Sequence, residues 1–395
     1  MDTLGVYVQT PFCESKCSFC NFSSKVAPAA AFDPYLNAVL REILSLSHWS
    51  ARGEKRSEVL MLPVDTLYFG GGTPSLFGTD RLGRIINQLH GCLLFRGPAE
   101  FTLEITPGSA ADDFLDAALQ LGVNRLSIGA QSFSDQELRA VGRLHTSEET
   151  REQVHRARRA GFANLSLDLI VGLPFQTERS WQCSLEGAAS LSPEHISVYL
   201  FELDEKSRLG KEVINRGSRY HAEEVPHEDF QATCYEVARE FLLGEGYAQY
   251  EISNFARPRY ESRHNRKYWQ LHPYLGLGAG AHSFDGNVRW QNVESPELYQ
   301  TRLENGESPV AECLASSSGE LVEEFFFLGL RQREGVNLND ARARWGQAEV
   351  ARHASVIRSL ARDGWLEERD ERVRLAPAAY LVSNEIFSQF LGLRK

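Results

Sequence analysis

The sequence predicts an α/β protein: a partial (β/α)6 barrel, then an α+β extension and a small winged-helix-like helical domain. Three observations predict it. A strand–turn–helix unit recurs six times between Leu4 and Phe201, the strands carry the β-branched cores of buried parallel strands, and the pattern breaks near residue 203. Six units fall two short of the eightfold barrel, hence a partial one. Strands are expected at residues 4–9, 66–69, 100–105, 125–128, 165–171 and 195–201. The helices between them are expected at 34–46, 80–90, 111–121, 147–161 and 176–191, with Gly122 and Gly161 where helix-terminating glycines belong.

The barrel is assigned to residues 1–203 and the extension to 204–315, with a charged linker at 204–224, a helix at 230–243, a strand-like stretch at 247–252 and a Gly/aromatic-rich run. Residues 316–395 form the last domain, with helices at 321–332, 339–345 and 348–363 before a β-ribbon. A winged helix invites a DNA-binding reading. From Glu320 to Lys395, however, twelve acidic residues balance twelve basic ones, so a packing or partner-docking role is expected instead.

With 395 residues, 42% hydrophobic and 24% charged, the chain has ample material for a globular core, which excludes bulk disorder. Its net charge of −11 argues against nucleic acid or an anionic membrane as a general partner. No apolar run approaches the roughly 18 residues of a membrane span, and no signal-peptide pattern opens the chain, so a cytoplasmic location is expected.

Chemistry concentrates in Pro11-Phe-Cys-Glu-Ser-Lys-Cys-Ser-Phe-Cys-Asn-Phe22. Cys13, Cys17 and Cys20 follow the first strand in C-x3-C-x2-C spacing. A zinc ribbon needs two separated C-x2-C pairs, and there is no second pair. Closely spaced thiolates are iron–sulfur ligands, and three of them leave one iron of a cubane to an exogenous ligand. The amine and carboxylate of an amino acid would chelate that iron. Cys92, Cys183, Cys234 and Cys313 have no partner spacing and are expected to be packing residues. The second strand ends in Gly70-Gly71-Gly72-Thr73-Pro74, whose backbone groups a ligand can approach closely. Glu104, Gln131, Arg143 and Asp168 then place one polar residue on or after each successive strand, as a barrel site is assembled.

The cysteine spacing, with Phe19 as its aromatic, resembles the radical S-adenosylmethionine (SAM) superfamily. The order of Tyr7 before the cysteines, GGGTP, Glu-x2-Pro, Gly-x-Gln-x-Phe, Gly-Arg-x-His and Asp-Leu-Ile-x-Gly-Leu-Pro is similar to the oxygen-independent coproporphyrinogen III oxidase-like family over nearly the whole chain. That resemblance implies a [4Fe-4S] cluster on Cys13, Cys17 and Cys20, and a SAM site lined by Tyr7, Phe19, Gly71, Gly72, Thr73, Glu104, Gln131, Arg143 and Asp168. The oxidase itself carries Cys-Gly-Cys at the third ligand and a long N-terminal extension. Here Cys20 precedes Asn21-Phe22, where the family usually has Asp, and the first strand starts at residue 4.

The stretch His264-Asn265-Arg-Lys-Tyr268-Trp269, followed by the glycine-rich 274–284, resembles the haem chaperone branch. An imidazole, two flat aromatic faces and five cations among residues 257–267 would suit a haem with its propionates, which implies His264, Asn265, Tyr268 and Trp269 as haem residues. An ordinary solvated loop with a structural histidine is the competing reading. The function implied is a haem chaperone, and the alternative is a radical SAM oxidoreductase or methyltransferase acting on a porphyrinogen or other cyclic substrate. Implied partners are haem, haem-accepting proteins and a haem or electron donor protein; the sequence leaves open peripheral membrane association through such partners and a dimer.

Overall fold

Leu-Ser-Leu-Asp-Leu-Ile-Val at 165–171 alternates, and the structure shows why. Leu165, Leu167, Leu169 and Val171 point outward into the layer of helices and are fully buried there, while Asp168 and Ile170 face an internal cavity. The same division runs round the wall, where Leu67 and Phe69 alternate with Tyr68, and Leu103 with Glu104. Each fully buried Leu or Ile of the outer layer contributes roughly 1.5–3 kcal/mol, so the helices are held from outside and the interior is left free to be polar.

The computed structural model describes residues 3–46 and 56–392. The outer ends of the first and last expected domains, residues 1–2 and 393–395, lie outside the described residues, Arg394 and Lys395 of the charge balance among them. The parallel strands are β1 (Leu4–Thr10), β2 (Val64–Gly71), β3 (Phe95–Ile105), β4 (Arg125–Gln131), β5 (Leu165–Val171) and β6 (His195–Leu200). Between them run α1 (Phe32–Ser45), α2 (Thr79–Cys92), α3 (Asp112–Gln120), α4 (Ser147–Ala160) and α5 (Glu178–Ser190). Thr146 and Thr177 start α4 and α5 with capping boxes, and Gly161 ends α4 in the left-handed conformation at φ 108°.

The extension does not stand apart. Its charged linker holds a helix, α6 (Arg208–Ile214), capped by Ser207, and α7 (Glu228–Gly244) follows. The expected strand at 247–252 shrinks to β7 (Ala248–Gln249); the chain then bends and returns as β8 (Asn254–Ala256) on β6. Next come α8 (Arg263–Trp269), β9 (Tyr274–Leu277), β10 (His282–Phe284), β11 (Val288–Asn292) and β12 (Val310–Ala315). Among the described residues the sheet has twelve strands in the order β12-β11-β10-β9-β1-β2-β3-β4-β5-β6-β8-β7, so the extension pairs with both edges of the barrel wall. β9 lies parallel to β1, a seventh parallel strand. Its glycines disguise it in the sequence: a Cβ at Gly276 would collide with the His282 carbonyl oxygen where β10 folds back.

The last segment opens with α9 (Ser318–Gly329) and α10 (Leu338–Trp345). The single helix expected at 348–363 is broken into α11 (Gln347–Ala351) and α12 (Ala354–Arg362). At the break the His353 side chain bonds the Glu349 carbonyl (3.3 Å) and its ring lies against Phe326 and Phe390. Three short strands, β13 (Val336–Asn337), β14 (Leu366–Arg369) and β15 (Arg372–Leu375), complete a small antiparallel sheet. One further expectation needs correcting. Cys92, Cys183 and Cys313 are exposed, on the outer faces of α2 and α5 and on the sheet's edge strand β12, and only Cys234 is packed inside.

Candidate functional site

A cavity of about 730 Å³ opens at the C-terminal ends of β1–β6, where barrel proteins place their chemistry. Cys13, Cys17 and Cys20 line its mouth on the loop after β1. That loop is braced by Lys16, whose Nζ donates to the carbonyls of Phe22 (3.1 Å) and Ser24 (2.9 Å), and by the Ser18 N–H on Val141 O (3.0 Å). The Arg143 guanidinium donates to Gly129 O (2.7 Å) and stands 3.6 Å from the Cys17 sulfur. Burial pushes the Cys13 and Cys20 thiols up from their ordinary value, so binding iron there displaces protons. Among the described residues no three Cys, His, Asp or Glu side chains converge on a single ion. The donor set fits a cubane, which ligates each thiolate to a different iron and needs the sulfurs spread apart.

The glycine run is knitted to the cysteine loop. Gly72 N–H donates to Thr10 O (2.8 Å) and Thr73 N–H to Phe12 O (2.7 Å), and a Cβ at Gly72 would strike the Phe12 carbonyl oxygen. Gly71, at φ 103°, lies against the Gln9 side chain. Its N–H donates to Glu104 Oε2 (3.1 Å), while the Tyr68 hydroxyl donates to Glu104 Oε1 (2.7 Å). Burial pushes the Glu104 carboxyl up to about 7, against the Tyr68 hydrogen bond that favours its ionised form. Asp168 is also raised by burial; it accepts from Ser197 (2.7 Å), Ser127 (3.2 Å) and Ser166 (3.5 Å).

Phe19, Gly71, Gly72, Thr73, Glu104, Gln131, Arg143 and Asp168 all line this one cavity. Gln131 ends β4 at φ 66°, an unusual conformation for a residue with a side chain, and sits beside Gly129. Tyr7 does not line the cavity: it stacks on Tyr68 (5.8 Å) and its hydroxyl donates to Gln9 (2.8 Å). Several other lining residues, Tyr68, His145 and Arg125 among them, had no role assigned from the sequence. Tyr68 orients Glu104. His145, held neutral at about 4 by burial and by Arg143, bonds Ala130 O (3.2 Å). Arg125 is buried with its Nε unpartnered among the described residues. The alternation of Leu67-Tyr68-Phe69 and Arg125-Leu126-Ser127 carried the signal for Tyr68 and Arg125, since every second residue faces inward.

The segment His264–Trp269, expected to meet haem, lies at the opposite end. α8 crosses the N-terminal ends of β2 and β3, and its first N–H groups, of Arg263 and His264, both donate to the Glu100 carboxylate (2.9 Å each). Lys267, buried, donates to Thr3 O (3.1 Å) and pairs with Asp65 (2.7 Å), and Arg263 reaches Pro98 O (3.2 Å) and Asp65 (3.1 Å). Arg257 covers the Tyr247 ring and Arg266 reaches Glu334 (3.7 Å). His264 is 1% exposed, with Nδ1 on Thr66 Oγ1 (2.8 Å) and Nε2 on the Tyr268 hydroxyl (2.8 Å), so neither ring nitrogen is open to an iron in this arrangement. Burial, with Lys267 adding, lowers its pKa to about 3. The motif is split: Asn265 lines the cavity, and Trp269 carries the Arg331 guanidinium 4.5 Å over its ring, its Nε1 unpartnered among the described residues.

A three-cysteine loop and a glycine cradle over a polar-lined partial barrel define the class of radical SAM proteins, and the family model of the Radical SAM superfamily matches residues 7–186. That of the HemN C-terminal domain matches residues 317–382. Over 389 residues the chain is 33% identical to "Heme chaperone HemW" of Bacillus subtilis, covering 98% of this chain and 99% of that one. It is 32% identical over 340 residues to the mouse "Radical S-adenosyl methionine domain-containing protein 1, mitochondrial", covering 84% and 74%. The solved structure of the Escherichia coli coproporphyrinogen III oxidase HemN matches with a TM-score of 0.85 at 23% identity, over 100% of this chain and 91% of that one; it speaks for the fold alone. The chain belongs to the heme chaperone HemW family.

Proposed function

We propose that the protein is a haem chaperone: it carries a SAM-ligated [4Fe-4S] cluster, binds haem and delivers it to haem-requiring proteins. Near full-length similarity to proteins named as haem chaperones carries this reading. The cavity supports its SAM half. Cys13, Cys17 and Cys20 would hold the cluster, the backbone of residues 71–73 and the Glu104 carboxylate would receive the SAM amino group, and Gln131, Arg143 and Asp168 would line the rest. When bound, the cluster and SAM supply one-electron chemistry at a sulfonium centre. The chain orients that pair and keeps Glu104 ready to ionise beside an ammonium group. For haem, Asn265 of the motif and Arg331, which stacks over Trp269, are the side chains that face the cavity.

Haem-accepting proteins are the partners this reading requires, with a haem or electron donor beside them and a cytoplasmic setting. Among the described residues no helix is long and apolar enough to cross a membrane; membrane association through partners and dimerisation are open to measurement. The test is anaerobic reconstitution followed, on one sample, by haemin titration read in the Soret region, transfer to an apo-haem protein, and incubation with coproporphyrinogen III, SAM and an electron donor. Haem binding and transfer without protoporphyrinogen IX are expected. Robust protoporphyrinogen IX formation without haem transfer would overturn the reading in favour of an enzyme.

A further inference from the structure

The conspicuous motif of the extension, His264 to Trp269, lies at the floor of the barrel, yet a continuous line of contacts runs from it to the SAM cradle at the mouth. Tyr268 holds His264 Nε2 (2.8 Å) and Thr66 holds Nδ1 (2.8 Å), so the imidazole is fixed in plane and rotation. That ring packs on Tyr68 with centroids 5.1 Å apart, and Tyr7 packs on both, 5.8 Å from Tyr68 and 6.3 Å from His264. Tyr68 hands its hydroxyl to Glu104 (2.7 Å), and Glu104 holds the Gly71 N–H (3.1 Å). The packing is closed from both sides. A Cβ on Gly5 would lie 3.1 Å from Thr66 Oγ1, and one on Gly70 would lie 2.9 Å from Glu104 Oε1. The floor is therefore spaced for the imidazole and the cradle for the carboxylate.

We infer that His264 and Tyr268 are positioning residues for SAM: the imidazole, pinned by Tyr268, sets the Tyr68 ring and through it the Glu104 carboxylate against Gly71. An axial haem ligand would need Nε2, which this arrangement spends on Tyr268, and a ring that reaches a ligand, whereas His264 is 1% exposed. The charged groups around the ring fit the same role. Burial, with Lys267 and Arg125 facing the ring as cations, keeps the imidazole neutral against Asp65, whose charge favours the protonated form. The inference rests on the reading that SAM binds at residues 71–73 and Glu104.

The test uses the full chain with its cluster reconstituted, and measures SAM affinity by calorimetry and haemin affinity by absorption in parallel. Tyr268→Phe keeps the ring and removes only the hydroxyl. It is expected to weaken SAM roughly three- to tenfold, to leave the cluster's absorption intact and to change haemin affinity by less than about twofold. His264→Ala is expected to weaken SAM further, and His264→Gln to recover part of the loss. In a Glu104→Gln background the Tyr268→Phe effect is expected to vanish, because the line of contacts is already cut. A merely structural role would give additive losses, and additivity would overturn the inference. So would SAM affinity equal to wild type in Tyr268→Phe and His264→Gln, or a Soret band lost in those variants while SAM binding stays intact. A wild type that fails to bind SAM at all would sink the underlying reading instead, and is told apart by that first titration.

Discussion

The two ends of the barrel are built on opposite terms. At the mouth, Phe22 and Leu144 are left 61% and 65% exposed, three cysteines sit without disulfides, and the glycine run presents bare backbone to a cavity. At the floor, α8 spends its first N–H groups on Glu100, its lysine on Thr3 and Asp65, and both nitrogens of its histidine on Thr66 and Tyr268. The contrast teaches that sequence prominence does not sort residues by role. Both ends carry motifs dense in reactive side chains, yet the floor spends His264 and Lys267 on internal partners while the mouth turns its thiols toward a cavity. An unspent group is available to a ligand, and a spent one stabilises the scaffold or sets the geometry of its neighbours.

The comparison breaks most visibly at the cysteines. Replacing Cys13, Cys17 or Cys20 with Ala is expected to remove the cluster's charge-transfer absorption near roughly 400 nm entirely, with the iron content following it. Loss of the cluster on replacing Cys234 instead would move the ligand set.

Next in size is the floor. His264→Ala strips a fully buried ring with two hydrogen bonds, and about 2–4 kcal/mol of stability is expected to go with it, read by denaturant unfolding. The pH dependence sharpens the assignment. The unfolded chain's imidazole takes a proton below about 6.5, whereas folded His264 resists until about 3, so its share of stability is present above 6.5 and lost as pH falls through that window. The variant should lose part of that slope, and His195, also buried and lowered, accounts for some of what stays.

Glu104→Gln is a smaller change at the mouth. It is expected to weaken SAM by about 1–3 kcal/mol, the usual loss of a charge-assisted hydrogen bond. Because the free carboxyl titrates at about 7, wild-type SAM affinity should rise as pH is raised through 7. In the variant it should not. The smallest effects belong to the exposed thiols: Cys92→Ser, Cys183→Ser and Cys313→Ser should each stay within about 0.5 kcal/mol of wild-type stability and keep the cluster.

The mouth was legible in the sequence because its chemistry is local. Cys13, Cys17 and Cys20 lie within eight residues, so their spacing pointed to a cluster, and the consecutive Gly71, Gly72 and Thr73 gained a ligand only through the family resemblance. The floor was legible only in part. His264 and Tyr268 stand four apart, which on a helix brings them face to face, but nothing in the sequence says that Thr66, almost two hundred residues earlier, closes the other side. Cys92, Cys183 and Cys313 misled for the opposite reason, since cysteine is buried so often that exposure on an outward helix face or an edge strand goes unexpected. β9 was hidden by the glycines that its tight return requires.

That hidden strand also bears on how the protein is made. β1, which leads into the cysteine loop, lies between β2 and β9, and β9 ends at Leu277. A ribosome adding roughly 5–20 residues each second leaves β1 with one free edge for some tens of seconds after its own synthesis. During that interval the cysteine loop hangs from an incomplete sheet, and the pairing that finishes it has high contact order. The cysteine loop thus gains its last neighbouring strand only after residue 277 has left the exit tunnel.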